Sequence, residues 1–332
     1  MNHVTVIGAG SWGTALAASL AWRGMEVQFW GRDADLMREI ASTRCNSRYL
    51  PGLALPEKVS VIADPATLKP ADMLFFVVPS KGMREAAQLI ASTPAATTPL
   101  LVSCAKGIEM DSGLRMSQII AQALPHSTLA VLTGPNHAEE VAAQLATAAV
   151  VACEDDEAAK KVQHALTLPF FRTYTTSDVI GAEWGGALKN PYAIAAGIAR
   201  GMKLGDNAIA ALVTRALAEM VRFGVRMGGR AETFQGLSGV GDLIATCYSE
   251  HSRNHRVGLQ LGQGRTLEEI LTSTRMIAEG VPNTASIHQA ARAHDVRTPL
   301  LDEIHSVLYA GKPPQVGMKA LLSRDPRPEM DV

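Results

Sequence analysis

A glycine-rich hexapeptide near the start of the chain constrains the fold more than any other feature of the sequence. Gly8-Ala9-Gly10-Ser11-Trp12-Gly13 has the spacing G-x-G-x-x-G. It directly follows a β-branched run at residues 4–7 and precedes mostly helix-forming residues at 14–21. A strand, a glycine turn and a helix in this order predict a dinucleotide-binding βαβ unit.

The three glycines have separate tasks in such a unit. Gly8 makes the tight turn, Gly10 lets a pyrophosphate approach the backbone, and Gly13 allows the helix to pack closely over the strand. The N-terminus of the helix then offers free amides and the positive end of a dipole to the phosphates. The motif therefore predicts NAD or NADP as cofactor.

The end of the second predicted strand, residues 27–30, bears on the choice between the two nucleotides. In NAD-preferring units an acidic residue about 20 residues beyond the motif binds the ribose hydroxyls. Here Gly31 and Arg32 follow the strand, and Asp33 comes next. Arg32 suits the 2′-phosphate of NADP, whereas a solvated Arg32 with Asp33 on the ribose suits NAD. We favour NADP, and use of both nucleotides stays open.

The pattern along the 332 residues predicts two domains. Continuous apolar runs separated by helix-like stretches indicate a parallel, doubly wound α/β sheet of the Rossmann type in the first domain, residues 1–176. Helical periodicity dominates residues 177–332, which predicts an all-α second domain with a cleft between the two. The expected strands are at residues 73–78, 100–104, 129–132 and 148–153, and the expected helices at 179–200, 207–223, 284–293 and 300–310.

Charge and cysteine content exclude several classes of function. The formal charge of −1, with acids and bases interspersed, gives no electrostatic footprint for nucleic acid or an anionic membrane. Cys45, Cys104, Cys153 and Cys247 form no C-x-x-C pair, so we expect neither disulfides nor a metal site. The apolar residues 4–21 have no preceding Lys or Arg and are broken by glycines, unlike a signal peptide. A cytoplasmic protein is expected.

Two lysines are candidates for chemistry. Lys106 follows the predicted strand at residues 100–104, where ligands of open α/β sheets bind, although a surface lysine is the alternative. Lys189, followed by Asn190, lies in an otherwise apolar helix, where charged residues are rare unless paired or functional. Burial would lower the pKa of such a lysine, as a general acid and base requires. A purely structural lysine stays open at this point.

Seven short segments, in this order and spacing, together carry a family resemblance. They are residues 6–16, Lys106-Gly107, Gly134-Pro135, Gly186-Ala187-Leu188-Lys189-Asn190, Gly241-Asp242-Leu243, Ser252-Arg253-Asn254 and Ala278-Glu279-Gly280. Through them the sequence resembles bacterial glycerol-3-phosphate dehydrogenase over nearly its whole length. The resemblance implies NAD(P)-dependent interconversion of dihydroxyacetone phosphate and sn-glycerol 3-phosphate, which supplies phospholipid synthesis. A phosphorylated triose is then the small-molecule partner, and a homodimer is compatible with the apolar helical half.

By this resemblance Lys189 is the proton donor and acceptor, and Lys106, Asp242 and Asn190 surround the reacting carbonyl. Hydride addition to a ketone makes an alkoxide, which needs a proton and nearby positive charge. Asp242 is expected to hold Lys189 in place, and Thr246, one helical turn further on, to add a hydroxyl. We expect these groups to converge on the substrate.

The resemblance also implies the binding residues. Ser252, Arg253 and Asn254 suit the substrate phosphate, and Gly134 and Asn136 join the substrate site. The family has a small hydroxyl residue and an aromatic where this chain has Asn136-His137; Asn136 still donates a hydrogen bond, and we interpret His137 as a packing residue rather than a base. The implied cofactor contacts outside the glycines are Ser11, Trp12, Arg32, Lys106, Ala138, Arg253, Ile277 and Glu279.

Two other functions remain open. A related hydroxyacid dehydrogenase would keep the architecture and the lysine but take a carboxylate substrate in place of the phosphate. A non-catalytic redox sensor would bind NADP and report its state to a partner, and the fold alone does not exclude it. The set of lysine, aspartate and Ser252-Arg253-Asn254 argues against a sensor, which has no evident use for it.

Overall fold

The computed structural model describes residues 2–110, 112–273, 278–326 and 328–329. The chain divides into two compact units, which we call the sheet unit and the helical unit. The sheet unit comprises Met1–Lys106 and Leu114–Glu183, and the helical unit comprises Gly107–Gly113 and Trp184–Val332. Compact units and folding domains need not coincide, so the predicted domain boundary after residue 176 stays a prediction.

The sheet unit is built on an eight-stranded sheet flanked by helices. Its strand order is β10-β9-β8-β7-β6-β1-β2-β5, and β3 pairs with β4 in a separate antiparallel hairpin. The strands are β1 His3–Ile7, β2 Glu26–Trp30, β3 Cys45–Asn46, β4 Leu50–Ala54, β5 Val59–Ile62, β6 Met73–Phe76, β7 Leu100–Ser103, β8 Thr128–Thr133, β9 Thr147–Ala152 and β10 Phe171–Thr176. The helices are α1 Ser11–Trp22, α2 Ala34–Thr43, α3 Met83–Ala91, α4 Met116–Ala123, α5 Ala138–Ala142 and α6 Asp156–Leu166.

Both faces of this sheet are covered, as the continuous apolar runs predict. In β6, Met73 and Phe75 belong to one hydrophobic cluster, whereas Leu74 and Phe76 belong to another. Successive side chains of a strand point to opposite faces, so both faces of β6 are buried. The predicted Rossmann-type doubly wound sheet is confirmed.

The sheet departs from the all-parallel expectation at β8 and β9, which run antiparallel. The helix between them, α5, has only five residues and rises about 7.5 Å at 1.5 Å per residue. A parallel crossover would have to return along the six residues of β8, about 20 Å. The short connection therefore reverses the chain instead. Apolar runs indicate burial and do not indicate strand direction.

The helical unit contains the helices that the sequence predicts, and the first of them starts in the sheet unit. No helix among the described residues has both the length and the hydropathy that a membrane span requires. The helices are α7 Val179–Gly201, α8 Asp206–Arg226, α9 Ala231–Gln235, α10 Asp242–Tyr248, α11 Arg253–Gly262, α12 Leu267–Thr272, α13 Gly280–Ala293, α14 Pro299–Tyr309 and α15 Pro314–Leu322.

Glycines bring the backbones of α7 and α11 into direct contact. A Cβ atom on Gly197 would lie 2.1 Å from the carbonyl oxygen of His255, and one on Gly258 would lie 1.9 Å from that of Ile194. No side chain other than hydrogen fits at either position without moving a backbone. This contact fixes α7, which carries Lys189, against the helix that Arg253 begins.

The glycine-rich segment at residues 236–241 has a composition that predicts a loop, but it is not an open loop. Leu237–Gly241 forms a wide π-type helical turn that continues directly into α10. A Cβ on Gly239 would lie 2.0 Å from the carbonyl oxygen of Phe234, and one on Gly185 of α7 would lie 2.4 Å from that of Ser238. The glycines therefore serve close packing rather than loop flexibility, and they let this turn approach α7.

Candidate active site

The glycine loop has the geometry that its motif predicts. Gly8 has φ +120°, which side-chain-bearing residues rarely adopt, and a Cβ there would lie 2.3 Å from the carbonyl oxygen of Val77. A Cβ on Gly13 would lie 1.8 Å from the carbonyl oxygen of Gly8, so α1 packs directly on the turn. A Cβ on Gly10 would have no atom of the described residues within 4 Å. The backbone at Gly10 thus faces open space, as the approach of a pyrophosphate requires.

The β3–β4 hairpin is fastened to this glycine loop, a feature that the sequence analysis missed. Asn46 is fully buried, and its Nδ2 donates to the carbonyl oxygen of Ala9 at 3.0 Å and to Oγ1 of Thr14 at 2.8 Å. The Ser11 hydroxyl donates to the carbonyl oxygen of Tyr49 at 2.7 Å. These bonds fix the turn of the hairpin beside the N-terminus of α1. A buried asparagine in a polar turn gives no local sequence signal of its partner.

Beyond the end of β2, the Asp33 carboxylate already has two partners within the protein. Its side chain accepts a hydrogen bond from the Leu36 amide at 3.0 Å, capping α2, and lies 2.5 Å from a guanidinium nitrogen of Arg48. The Leu36 amide and then Arg48 hold the pKa of Asp33 below its usual range. The Arg32 side chain is 88% exposed and lies 3.6 Å from Glu85. Asp33 thus has two partners other than a ribose, whereas the Arg32 side chain is largely exposed, and the preference for NADP stays a prediction.

The other predicted cofactor contacts differ in their burial and packing. The Trp12 ring packs edge-on against Phe171 with centroids 6.4 Å apart, so it is also part of the core. Ala138 is buried at the first position of α5. Glu279 is half-buried and directly precedes α13. Ile277 lies outside the described residues.

Lys106 joins Gly134 and Asn136 at the ends of β7 and β8. Its Nζ donates to the carbonyl oxygen of Gly134 at 2.8 Å and to Oδ1 of Asn136 at 2.9 Å. The Nδ2 of Asn136 is buried and finds no acceptor among the described residues. Lys106 is therefore not a simple surface lysine, and this group presents an ammonium and an amide donor together. His137 is half-buried directly before α5.

Lys189 is held in a buried ion pair in the helical unit. Its Nζ lies 2.7 Å from Oδ1 of Asp242 and 2.7 Å from Oγ1 of Thr246, and the three residues are at most 6% exposed. The Thr246 hydroxyl itself donates to the backbone carbonyl of Asp242 at 2.6 Å, so it accepts from the lysine. The predicted contact of Lys189 with Asp242 is present, and the Thr246 hydroxyl, expected to join the site, also contacts Lys189. The site thus contains an oriented ammonium of the kind needed for proton transfer.

Asn190 starts a second hydrogen-bonded chain next to this pair. Its Oδ1 accepts from Nδ2 of Asn254 at 2.8 Å, and Oδ1 of Asn254 accepts from the Gly280 amide at 2.9 Å. Ser252 is buried and caps α11 by accepting from the His255 amide at 3.1 Å. Arg253, the first residue of α11, is exposed. Of the predicted phosphate triad, only Arg253 presents its side chain to solvent.

Buried acids in the helices are a class of residue that the sequence analysis missed. Glu183 of α7 is 4% exposed and accepts hydrogen bonds from the amide and the hydroxyl of Ser117 at 2.8 and 2.6 Å. Glu219 of α8 is 3% exposed and accepts from the Leu300 amide at 2.7 Å. Burial raises the pKa of Glu219 to about 7. The signal that singled out Lys189, a charge in an otherwise apolar helix, applies to Glu183 of the same helix but not to Glu219, whose helix carries several other charges.

The structure thus assembles two groups of predicted residues, one in each unit. Lys106, Gly134 and Asn136 form the group in the sheet unit, and Lys189, Asp242 and Thr246 form the group in the helical unit. The expectation that Lys106 and Lys189 serve one substrate stays a prediction. The open backbone at Gly10 and the exposed Arg32 fit the nucleotide that the glycine motif implies.

Comparison with known proteins places the chain in a family. Residues 3–159 match the family model of the NAD-dependent glycerol-3-phosphate dehydrogenase N-terminus, and residues 178–319 match that of the C-terminus. The chain is 44% identical to glycerol-3-phosphate dehydrogenase [NAD(P)+] of Desulfitobacterium hafniense over 331 residues, covering 100% of this chain and 94% of the relative. The enzyme of the same name from Streptomyces coelicolor is 47% identical, covering 98% of this chain and 97% of the relative.

A solved structure agrees with this assignment. The crystal structure of glycerol-3-phosphate dehydrogenase from Coxiella burnetii superimposes with a TM-score of 0.93 at 37% identity, covering 97% of this chain and 99% of that one. The matches span both units and include the segments that contain the glycine motif, Lys106, Lys189 and Asp242. The chain belongs to the NAD-dependent glycerol-3-phosphate dehydrogenase family.

Proposed function

We propose that this chain catalyses the NAD(P)-dependent interconversion of dihydroxyacetone phosphate and sn-glycerol 3-phosphate. The observation that carries the proposal is the buried contact of Lys189 with Asp242 and Thr246 in a chain of this family. The names of the relatives specify glycerol-3-phosphate dehydrogenase with NAD(P)+. In this role the enzyme supplies glycerol 3-phosphate for phospholipid synthesis.

Lys189 handles the proton of the reaction. A reduced nicotinamide nucleotide held on the glycine loop would supply a hydride to the carbonyl carbon of the ketone and become the oxidised nucleotide. As the new C–H bond forms, the electron pair of the C=O bond moves to oxygen, which takes a proton from Nζ of Lys189 and becomes the hydroxyl of the product. In the reverse direction the same nitrogen accepts that proton. Asp242 and Thr246 orient the ammonium, because both accept hydrogen bonds from it at 2.7 Å.

Further polar groups stabilise the oxygen on which negative charge develops. Lys106 supplies a second positive charge, and the Nδ2 of Asn136, which has no acceptor among the described residues, supplies a hydrogen-bond donor. Asn190 contributes through its amide next to Lys189. Gly134 supports this group, because its carbonyl oxygen accepts from Lys106.

The substrate phosphate is proposed to bind at the start of α11. Arg253 provides an exposed, permanently charged guanidinium whose planar donors match phosphate oxygens. Ser252 and Asn254 flank it, and their side chains mainly hold the helix end in place through the His255 and Gly280 amides. Arg253 is therefore the anchor, and its two neighbours are positioning residues.

The nucleotide is proposed to lie on the glycine loop. Gly8, Gly10 and Gly13 shape the loop, and Ser11 and Trp12 begin the helix whose N-terminus faces the phosphates. Arg32 is proposed to favour NADPH over NADH. The remaining proposed contacts are Lys106, Ala138, Arg253, Ile277 and Glu279.

A spectrophotometric assay tests the reaction. Oxidation of NADPH or NADH is followed at saturating dihydroxyacetone phosphate and, separately, with an α-keto acid. We expect turnover with the phosphorylated triose, and a loss of about 10³-fold in kcat for Lys189→Ala with cofactor affinity retained. Lys319→Ala, which removes an exposed lysine of α15, is the control and should behave as the unmodified protein.

The other outcomes identify the alternatives. Turnover with the keto acid alone indicates a hydroxyacid dehydrogenase. Nucleotide binding with no turnover on either substrate indicates a redox sensor. Unchanged kcat in Lys189→Ala contradicts the proton role of that residue, whatever the substrate.

We also propose that the protein is cytoplasmic and forms a homodimer. The four cysteines are free, as is usual in a reducing compartment. Exposed apolar side chains of α14 and α15, including Tyr309, Val316 and Leu322, support self-association. Cell fractionation tests the location, and light scattering tests the assembly; the mass of a single chain at micromolar concentration would contradict the dimer.

A further inference from the structure

A second arginine lies where the ribose end of the cofactor is expected. The ribose of a nucleotide on a Rossmann-type unit lies beyond the end of the second strand. There the Arg48 guanidinium lies 2.5 Å from the Asp33 carboxylate, and the two side chains are 43% and 45% exposed. Arg48 comes from the turn of the β3–β4 hairpin, 15 residues further along the chain. No spacing rule for the glycine motif points to it.

The position of Arg48 is fixed relative to the glycine loop. Asn46 bonds the hairpin to Ala9 and Thr14, and Ser11 bonds to the backbone of Tyr49. Arg48 therefore lies between Asn46, whose side chain bonds to residues at the start of α1, and Tyr49, whose backbone does so. Its contact with Asp33 consequently belongs to the nucleotide-binding end of the sheet unit and is not a chance contact between mobile surface chains.

The charges around this point decide which ribose is accepted. A 2′-phosphate carries about two negative charges at neutral pH, so an unpaired Asp33 carboxylate would repel it. An unpaired Asp33 would instead suit a 2′-hydroxyl, which donates a hydrogen bond. Arg32, which follows β2 directly, supplies another positive charge here, and Glu85 lies 3.6 Å from it. Without Arg48, the two carboxylates of Asp33 and Glu85 would outnumber the single guanidinium of Arg32.

We propose that Arg48 is a specificity-determining residue for NADPH: by pairing with Asp33 it offsets the carboxylate charge beside the ribose, so that Arg32 can hold the 2′-phosphate. The inference rests on the proposed use of a nicotinamide nucleotide. Arg48 acts through Asp33 and is not a catalytic residue. The same pair explains how one site accepts both nucleotides, with a preference set by the balance of charge.

Direct binding measurements test this role without turnover. Titration of the protein with NADPH and with NADH, followed by nucleotide fluorescence, gives the two dissociation constants. For Arg48→Ala we expect Kd for NADPH to rise about tenfold, while Kd for NADH stays within about twofold or falls. Arg38→Ala is the matched control, because it removes an exposed arginine of α2 that pairs with Asp35. It should leave both constants unchanged.

A double-mutant cycle with Asp33→Asn isolates the mechanism. Asparagine still caps α2, so the helix end is retained, but the negative charge is gone. In this background Arg48→Ala should change Kd for NADPH by less than about twofold, since no carboxylate remains to be offset. Thermal melting of each variant, followed by circular dichroism, confirms that the fold is intact.

Several results would overturn the inference. Equal weakening of NADPH and NADH by Arg48→Ala, or no weakening of either, removes the role in selectivity. A tenfold effect that persists in the Asp33→Asn background shows that Arg48 does not act through Asp33. If the unmodified protein binds neither nucleotide, the proposed function itself fails, and that result is distinct from the others.

Discussion

The two units carry function in different ways. In the sheet unit, the proposed nucleotide site depends on backbone geometry within a few consecutive residues, such as the positive φ of Gly8 and the open space at Gly10. In the helical unit, the site depends on side chains far apart in sequence: Lys189 meets Asp242 across 53 residues, and Asn254 meets Asn190 across 64. In the sheet unit we therefore expect some substitutions to change stability and others to change nucleotide affinity. In the helical unit we expect substitutions to lower turnover.

The largest effect is expected at the buried ion pair. Asp242→Asn removes the charge that faces the Lys189 ammonium at 2.7 Å, so the ammonium loses its neutralising partner and keeps only neutral hydrogen-bond acceptors to orient it. We expect kcat to fall about 10²- to 10³-fold and the free energy of unfolding to fall by about 3 kcal/mol, with Kd for NADPH unchanged. Steady-state kinetics and urea unfolding measure the two effects.

Asp206→Asn is the control for this variant, because Asp206 is an exposed acid that pairs with Arg200. A kcat of Asp242→Asn within a factor of three of that of the control would refute the role of Asp242. A parallel loss of nucleotide affinity would break the separation between the units.

The glycine loop allows a matched pair of substitutions. Gly13→Ala places a methyl group 1.8 Å from the Gly8 carbonyl oxygen, and we expect the free energy of unfolding to fall by about 3 kcal/mol. Gly10→Ala meets no described atom within 4 Å, so stability should change by less than about 0.5 kcal/mol while Kd for NADPH rises. Thermal melts and nucleotide titrations test both. Equal stability of the two variants would contradict the division of tasks between these glycines.

The pH dependence of stability should reveal Glu219. Its pKa is raised to about 7, mainly by burial, so between its ordinary value and pH 7 the folded state holds a proton that the unfolded state has lost. Stability from this group therefore falls as pH rises through that window, by about 2 kcal/mol between pH 5 and 8. Urea unfolding at several pH values should show this slope in the unmodified protein and a smaller one in Glu219→Gln.

Glu232→Gln is the control for the pH series, because Glu232 is exposed on α9. A slope that is the same in Glu219→Gln and in this control would exclude Glu219 as its source. A loss of slope in the control would assign it to surface charge.

The smallest effect is expected at the phosphate anchor. Arg253→Ala removes one charge-assisted contact at the start of α11, so KM for dihydroxyacetone phosphate should rise about tenfold with a smaller change in kcat. Arg256→Ala removes another exposed arginine of the same helix and serves as the control. An unchanged KM in Arg253→Ala would move the phosphate site elsewhere.

The sequence predicts local features of the fold correctly and misses features that depend on contacts between distant segments. The βαβ unit around Gly8, the covered sheet and the long helices were predictable, because residue spacing and apolar periodicity are local properties. The antiparallel β8–β9 pair was not, since it depends on the length of α5 relative to the strands. The role of Asn46 and the π-type turn at Leu237–Gly241 also depend on contacts between distant segments.

In the helical unit, the residue types alone left Lys189 undecided between structure and chemistry. The family resemblance placed Asp242 beside the reacting carbonyl, and helical spacing suggested Thr246; both lie within hydrogen-bonding distance of Lys189. Glu183 lies in the same apolar helix and carries the same sequence signal, but no motif includes it. Glu219 gives no such signal, because its helix also contains Asp206, Arg215, Arg222 and Arg226. Every buried charge in an apolar helix therefore merits a search for its partner.

The backbone contact between α7 and α11 has a consequence for mutational scanning. Gly197 and Gly258 lie against carbonyl oxygens of the opposing helix, so a scan scored by growth will rank them as intolerant as Lys189. We expect their substitution to lower the amount of folded protein, whereas substitution of Lys189, in its proposed role, should lower turnover per folded molecule. Measuring protein abundance and activity for every variant should therefore distinguish the positions of α7 that maintain the fold from those that take part in the reaction.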